Sequence, residues 1–143
     1  MASTTLRVAV LITAVLALGA CAKPLFLRGD LQKAASEAAD HYSTNLRWGR
    51  LSEAAKFVEP LRRPEFLAFF AEGHSYRFTD IEVDAVDYDD LALQARATVR
   101  FTLYTMPRVQ EIRVVDSQRW RYDRDGDAWY VDPDLEPFRR LTR

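Results

Sequence analysis

The residues with the clearest chemical potential are one cysteine and two histidines. Cys21 is the only cysteine of the 143-residue chain, so no internal disulfide can form and its thiol can carry a covalent group. His41 and His74 are the only histidines, and they lie far apart in the sequence. Nothing has the spacing of a zinc site, so we expect no metal and no other cofactor.

The segment before Cys21 has the three parts of a secretory signal peptide. Arg7 is the only charged residue before Lys23, an apolar run follows from Val8 to Leu18, and small residues come next. The run is shorter than the roughly twenty residues of a membrane-spanning helix. An uncleaved anchor helix, or an ordinary signal followed by a chance cysteine, is the alternative interpretation.

The four residues Leu18-Gly19-Ala20-Cys21 resemble the lipobox of bacterial lipoproteins. The resemblance implies that a diacylglycerol is attached to the Cys21 thiol, that the signal is removed, and that the new amino group is acylated, typically with palmitate. Several acyl chains together give stable anchoring in a bilayer. Ala22 stands where an aspartate tends to retain such proteins in the inner membrane. We therefore expect a lipid-anchored protein of the cell envelope, with the outer membrane facing the periplasm favoured.

The composition is that of one globular domain with balanced charge. The chain has 20 basic and 21 acidic residues and is 48% hydrophobic, which is enough for a core and gives no nucleic-acid footprint. The predicted organisation is a signal peptide over 1–20, a short lipidated tether over 21–29, a single α+β domain over 30–134 and a C-terminal tail over 135–143.

Apolar residues at helical spacing predict three helices in the first half of the chain. Asp30 is the expected N-cap of the first helix and Gly49 its end, and Ser52 is the expected cap of the second. The predicted helices cover residues 30–48, 52–58 and 64–71.

The apolar period then changes to two, which predicts antiparallel strands. The predicted strands cover residues 78–86, 91–106, 109–122 and 128–131. Asp125-Gly126 predicts a hairpin turn, and the acids around it lack the longer ligand series of a calcium loop. The expected fold class is α+β, with N-terminal helices packed on a curved four-stranded antiparallel meander.

Two segments, 48–58 and 120–131, carry a resemblance to a known group. The second runs Trp-Arg-Tyr-Asp-Arg-Asp-Gly-Asp-Ala-Trp-Tyr-Val. Together with the element order they resemble small bacterial proteins of the nuclear-transport-factor-2-like, or cystatin-like, group. The resemblance covers roughly residues 30–132. It implies a long helix in the concave face of the sheet and a cavity between them, which isomerases, dehydratases and polyketide cyclases of this fold class use.

Four polar residues are candidates for lining such a cavity. A general base in an apolar pocket would be His41 or Asp116, helped by Tyr42 or Tyr104. The alternative is that His41 is solvated at the edge of the helix stripe, and that Asp116 marks a bulge or lies on the outer sheet face.

A second set of candidates could form an interface with a protein partner. It combines arginine and threonine on one face of a predicted strand: Arg96, Thr98, Arg100 and Thr102. Such a face suits a homodimer or another envelope protein, and the alternative is a solvated face with cross-strand pairs. The C-terminal arginines could contact anionic lipid headgroups or belong to a frayed tail.

These patterns predict a membrane-tethered lipoprotein whose domain is a non-enzymatic interaction or accessory module. The alternative is a small-molecule-binding protein or enzyme that uses a cavity between the long helix and the sheet. An interior filled by aromatic residues would favour the first function, and an open pocket lined by His41 or Asp116 would favour the second.

Overall fold

The computed structural model describes residues 28–71, 76–105 and 109–142. The predicted signal peptide, Cys21, His74, the Met106-Pro107 turn and Arg143 lie outside these described residues. Within them, no helix combines the length and apolar composition needed to cross a bilayer.

In the part of the chain that the structure describes, three helices precede four strands, and a short helix follows. The elements are α1 (Arg28–Arg47), α2 (Leu51–Ala55), α3 (Arg63–Ala71), β1 (Tyr76–Asp89), β2 (Gln94–Thr105), β3 (Gln110–Asp123), β4 (Ala128–Asp132), α4 (Glu136–Arg139) and a final 3-10 turn (Arg140–Thr142). The strands pair antiparallel in the order β1-β2-β3-β4. The predicted α+β class, with helices on a four-stranded meander, is confirmed.

Helix α1 packs on the inner face of the sheet through small side chains. Ala35 and Ala39 are almost fully buried, and they let the helix backbone come close to the strands. Tyr42, one turn further on, meets the Trp120 ring edge-on at 5.8 Å between centroids. The helix ends before Gly49, whose φ of +67° is a conformation that glycine adopts without strain.

The predicted starts of the first two helices were wrong. Helix α1 begins at Arg28, so Asp30 lies in its first turn, where its negative charge interacts favourably with the helix dipole. Helix α2 begins at Leu51, with Arg50 before it making no side-chain cap. It ends earlier than predicted because the chain leaves it to join the sheet: Val58 forms a parallel bridge with Val131 of β4.

The turn between β1 and β2 also differs from the prediction. Strand β1 extends to Asp89, and its carboxylate accepts hydrogen bonds from the backbone N–H groups of Leu91 and Ala92, each at 3.0 Å. These hydrogen bonds form a turn from residues that the sequence pattern places in the next strand. Leu91 is 91% exposed, and β2 begins only at Gln94.

The hairpin predicted at Asp125-Gly126 joins β3 to β4, whose last pair is Asp123 with Ala128. A Cβ on Gly126 would lie 2.9 Å from a carboxylate oxygen of Asp123, so a larger residue here would require the Asp123 side chain to move. The hydroxyl of Tyr122 donates to Asp127, which holds the far side of the turn.

Residues 133–142, most of which the sequence assigns to a C-terminal tail, pack against the core. Leu135 and Phe138 are 4% and 3% exposed. The Phe138 ring meets those of Phe101, Phe78 and Phe70 at centroid distances of 5.1, 5.9 and 6.3 Å. The segment therefore closes one end of the concave face of the sheet instead of fraying.

Candidate functional site

A small polar cluster lies between α1 and the inner face of β3. Asp116 and Gln118 are 6% and 2% exposed, and Tyr42 reaches them from α1 with 3% of its surface exposed. The Trp120 indole N–H donates to the Gln118 side-chain oxygen at 3.3 Å. The Asp116 carboxylate accepts hydrogen bonds from the Gln118 side chain and the Ser117 backbone. The cluster therefore forms a short hydrogen-bonded row along one strand.

The environment of Asp116 favours the protonated acid. Burial raises its pKa to about 6, and the nearby charge of Asp134 adds to the rise, while the hydrogen bonds from Gln118 and Ser117 oppose it. Burial also raises the pKa of the Tyr42 hydroxyl, with a further contribution from the Asp116 charge. A carboxyl that titrates near pH 6 beside a neutral phenol can accept or deliver a proton near neutral pH.

Aromatic side chains pack around this cluster. Seven aromatic rings among the described residues are buried, those of Tyr42, Phe66, Phe69, Phe101, Trp120, Trp129 and Phe138. Three surface cavities formed by described residues have linings that leave out Asp116. The cluster therefore has the groups for proton transfer without a described space in which a substrate could meet them.

The buried acid predicts an unusual dependence of stability on pH. In the unfolded chain Asp116 has its ordinary pKa of 3.8, whereas in the folded domain the value is about 6. The folded state therefore binds the proton more tightly, and this contribution to stability is full below about pH 4 and is lost as pH rises through about 6. The total effect is on the order of 2–3 kcal/mol.

Replacing Asp116 by Asn removes the ionisation and keeps an oxygen that can accept from Gln118. At pH 7 we expect Asp116→Asn to unfold at a higher urea concentration than the wild type, with a free energy of unfolding that is higher by up to about 2 kcal/mol. At pH 4 the two proteins should differ little in stability. The matched control is Asp125→Asn on the exposed hairpin. Parallel stability curves for Asp116→Asn and wild type between pH 4 and 7 would contradict the raised pKa.

The four predicted cavity residues divide between three places. The structure brings Tyr42 and Asp116 together in the interior cluster. His41 is exposed on α1, where its ring stacks on Phe57 with a centroid distance of 6.4 Å and 12° between planes. Tyr104 lies on the outer face of β2, and its hydroxyl donates to Glu111 at 3.2 Å. It therefore lines no cavity between the helix and the sheet.

Sequence reasoning missed Gln118 as a member of the cluster, and Asp134 as an exposed charge that acts on it. The signal for Gln118 was present, because residues 112, 114, 116, 118, 120 and 122 share one face of β3. Asp134 lies in the connection after β4, where no periodicity indicates the direction of a side chain. Among the described residues, no group of three or more potential metal ligands comes together.

The four predicted interface residues all lie on the outer face of β2, opposite the helices. The Arg100 guanidinium donates to Glu82 at 2.9 Å and to Asp84 at 2.8 Å, both on β1. Arg96 stands between Asp87 of β1 and Arg119 of β3 in the strand register. The face is thus charged along two rows, and Thr98 lies between them.

No protein-family model matches the chain, and no curated protein matches it. Solved structures do. A ketosteroid isomerase-like protein from Erwinia carotovora atroseptica matches with a TM-score of 0.54 and 14% identity, over 70% of this chain and 89% of that one. A SEC-C motif-containing protein from Rhodopseudomonas palustris matches with a TM-score of 0.52 and 10% identity, over 71% and 88%. At these identities the likeness concerns the fold alone: helices on a curved antiparallel sheet in the nuclear-transport-factor-2-like arrangement.

Proposed function

We propose that this protein is a lipid-anchored component of the cell envelope, held through Cys21, whose domain is a non-enzymatic interaction module. The observation that carries this proposal is the filled interior. The concave face of the sheet, where a substrate would have to bind, is occupied by aromatic side chains, with Phe66 and Phe101 at 0% and 1% exposure. The outer face of the sheet is then the surface on which we expect a partner to bind.

The centre of that outer face is flat and partly apolar. Ala85, Thr98 and Ser117 form one row across β1, β2 and β3, and none of them projects a long side chain. Val115, next to this row on β3, is 63% exposed. Small residues around an exposed apolar side chain allow close approach of a second surface.

The charges around this centre are arranged so that a second copy could match them. Asp87, Arg96, Arg119 and Asp132 form one row across the four strands, with acids at the ends and bases in the middle. A copy rotated by 180° and shifted by one or two strands places its acidic ends over the basic centre. We therefore propose that the partner is a second copy of this chain, and that nucleic acid is not a partner.

Reversing the charge at Arg96 and Arg100 tests this interface. We expect the wild type to sediment as a concentration-dependent dimer and the double variant Arg96→Glu, Arg100→Glu to remain a monomer. Loss of the exposed Arg100 ion pairs, together with the repulsion that a glutamate at position 100 meets from Glu82 and Asp84, lowers the free energy of unfolding by about 2 kcal/mol, which leaves the domain folded. Circular dichroism checks that the domain remains folded.

The matched control is Lys33→Glu with Arg50→Glu, which makes the same charge change on exposed helix-side positions. It should dimerise like the wild type. A wild type that stays monomeric at all concentrations, or a double variant that dimerises as the wild type does, would exclude the second copy as the partner. Capture of a different envelope protein that depends on Arg96 would replace the second copy by a heterologous partner.

The second candidate function is small-molecule binding. It is favoured by one observation, an open surface groove that includes His41. This groove borders the filled interior at Trp129 and opens to solvent, so the two functions do not exclude each other.

A further inference from the structure

A groove of about 440 Å³ runs between the first half of α1, the end of α2 and the β3–β4 hairpin. Its apolar lining comes from Leu31 and Ala34 of α1, from Phe57 just after α2 and from Trp129 of β4. The volume lies within the range of small-molecule sites. The groove is open to solvent along one side, so a ligand can enter without any movement of the core.

Aromatic rings form two walls of the groove. On the hairpin side, the rings of Tyr122 and Trp129 lie 5.5 Å apart at an angle of 51°. On the helix side, the His41 ring stacks on Phe57. The faces of the Tyr122, Trp129 and Phe57 rings carry partial negative charge and attract cations, above all organic ammonium groups that keep little water around them.

The charges at the rim favour the same sign of ligand. Three carboxylates line the groove, those of Asp30, Glu37 and Asp127, against one lysine. That lysine, Lys56, donates to Glu53 at 2.7 Å, and the Glu37 carboxylate is likewise paired with Lys33 at 3.5 Å, which leaves Asp30 and Asp127 as the rim charges. The rim therefore presents net negative charge beside the apolar lining.

One residue that lines the groove, Trp129, also carries a buried hydrogen-bond donor. Its side chain is 5% exposed, and the indole Nε1 is buried without a hydrogen-bond partner among the described residues. Buried donors are normally satisfied.

We propose that this groove binds an organic ammonium group attached to an apolar or ester-bearing body. Two sources share this chemistry: the headgroup of a membrane lipid and a free ammonium solute. Asp30, at the mouth of the groove, is nine residues from Cys21, which the chain spans in at most about 32 Å. The lipid source rests on the proposed anchor at Cys21, whereas the preference for an ammonium group does not.

The first test measures binding of phenyltrimethylammonium to the purified full chain by titration calorimetry. Its neutral isostere, tert-butylbenzene, has the same shape without the charge. We expect the cation to bind at least about tenfold more tightly than the isostere, because the rings and the carboxylates act on its charge. Equal binding of the two compounds, or no binding of the cation, overturns the proposal.

Two neighbouring aspartates give a matched pair of variants. Asp127→Asn removes one charge from the rim and should weaken binding of the cation about three- to tenfold. Asp125→Asn makes the same change two residues away, on a side chain that does not line the groove, and should leave affinity unchanged. Asparagine tolerates the φ of +49° at position 127, so the hairpin is retained. An equal effect of the two variants overturns the placement of the site.

Competition then separates the two sources. Displacement of the cation by glycerophosphocholine, a soluble lipid headgroup, assigns the groove to a lipid. Displacement by choline and not by glycerophosphocholine assigns it to a free solute. If Cys21 proves not to be lipidated, these binding results still stand, so failure of the anchor and failure of the groove are distinguishable.

Discussion

Cells that express Cys21→Ser should incorporate no radioactive fatty acid into this protein, whereas the wild type should be labelled. In the bacterial lipoproteins that the segment ending at Cys21 resembles, the lipid is transferred to a cysteine thiol. A serine hydroxyl does not replace the thiol in that reaction. Because processing acts on the lipidated cysteine, the variant should also migrate more slowly on a gel, as the uncleaved precursor. The folded domain should be unaffected, since Cys21 lies outside residues 28–142 and the chain has no second cysteine.

The matched control is Ala22→Ser, which introduces the same side chain one residue later and keeps the thiol. It should be labelled and processed as the wild type is. An unlabelled wild type, or equal labelling of Cys21→Ser, would show that the lipoprotein assignment is wrong. The apolar run from Val8 to Leu18 would then be an ordinary signal or an uncleaved anchor.

The second large effect is expected at Phe138, near the end of the chain. Phe138→Ala removes a ring that is 3% exposed and that contacts the rings of Phe70, Phe78 and Phe101. Truncation of a buried phenylalanine costs about 3–5 kcal/mol, because the burial is lost and a cavity remains. Since a domain of this size is stable by only about 5–15 kcal/mol, urea denaturation should show a large fall in the midpoint.

Arg140→Ala is the control for this substitution. Its side chain is 73% exposed and only approaches Glu136, at 3.8 Å, so the change should stay within about 0.5 kcal/mol of the wild type. A loss below about 1 kcal/mol for Phe138→Ala would show that the segment after β4 is not part of the core.

The fold could be predicted from the sequence because its largest elements have strong periodicity. The inward face of β2 consists of alternate apolar residues from Ala95 to Leu103, and all of them are buried. The same alternation places Tyr104 with Thr102 on the outer face, which makes its assignment to a cavity inconsistent with the pattern itself. It also places Asp116 inward, although the sequence left a bulge or an outer position open.

Other features could not be read from the pattern. Leu135 and Phe138 are three residues apart in a segment that contains Pro137, which is too short for periodicity to separate a helix from a tail. The filling of the interior depends on this segment and on α3, which are far apart in the sequence and meet through Phe70 and Phe138. The groove likewise joins α1, the end of α2 and the hairpin, whose distances depend on the whole fold.

The parallel bridge between Val58 and Val131 has a consequence for behaviour at high concentration. An exposed strand at the edge of a sheet can pair with the edge of another molecule and start aggregation. At β4 the Val131 N–H already donates to the Phe57 carbonyl at 2.7 Å, and the Val131 carbonyl accepts from the Glu59 N–H at 2.9 Å. At the opposite edge, β1 carries two irregularities of register, near Thr79 and Asp84. These two stretches of edge are therefore poor templates for pairing with a second molecule.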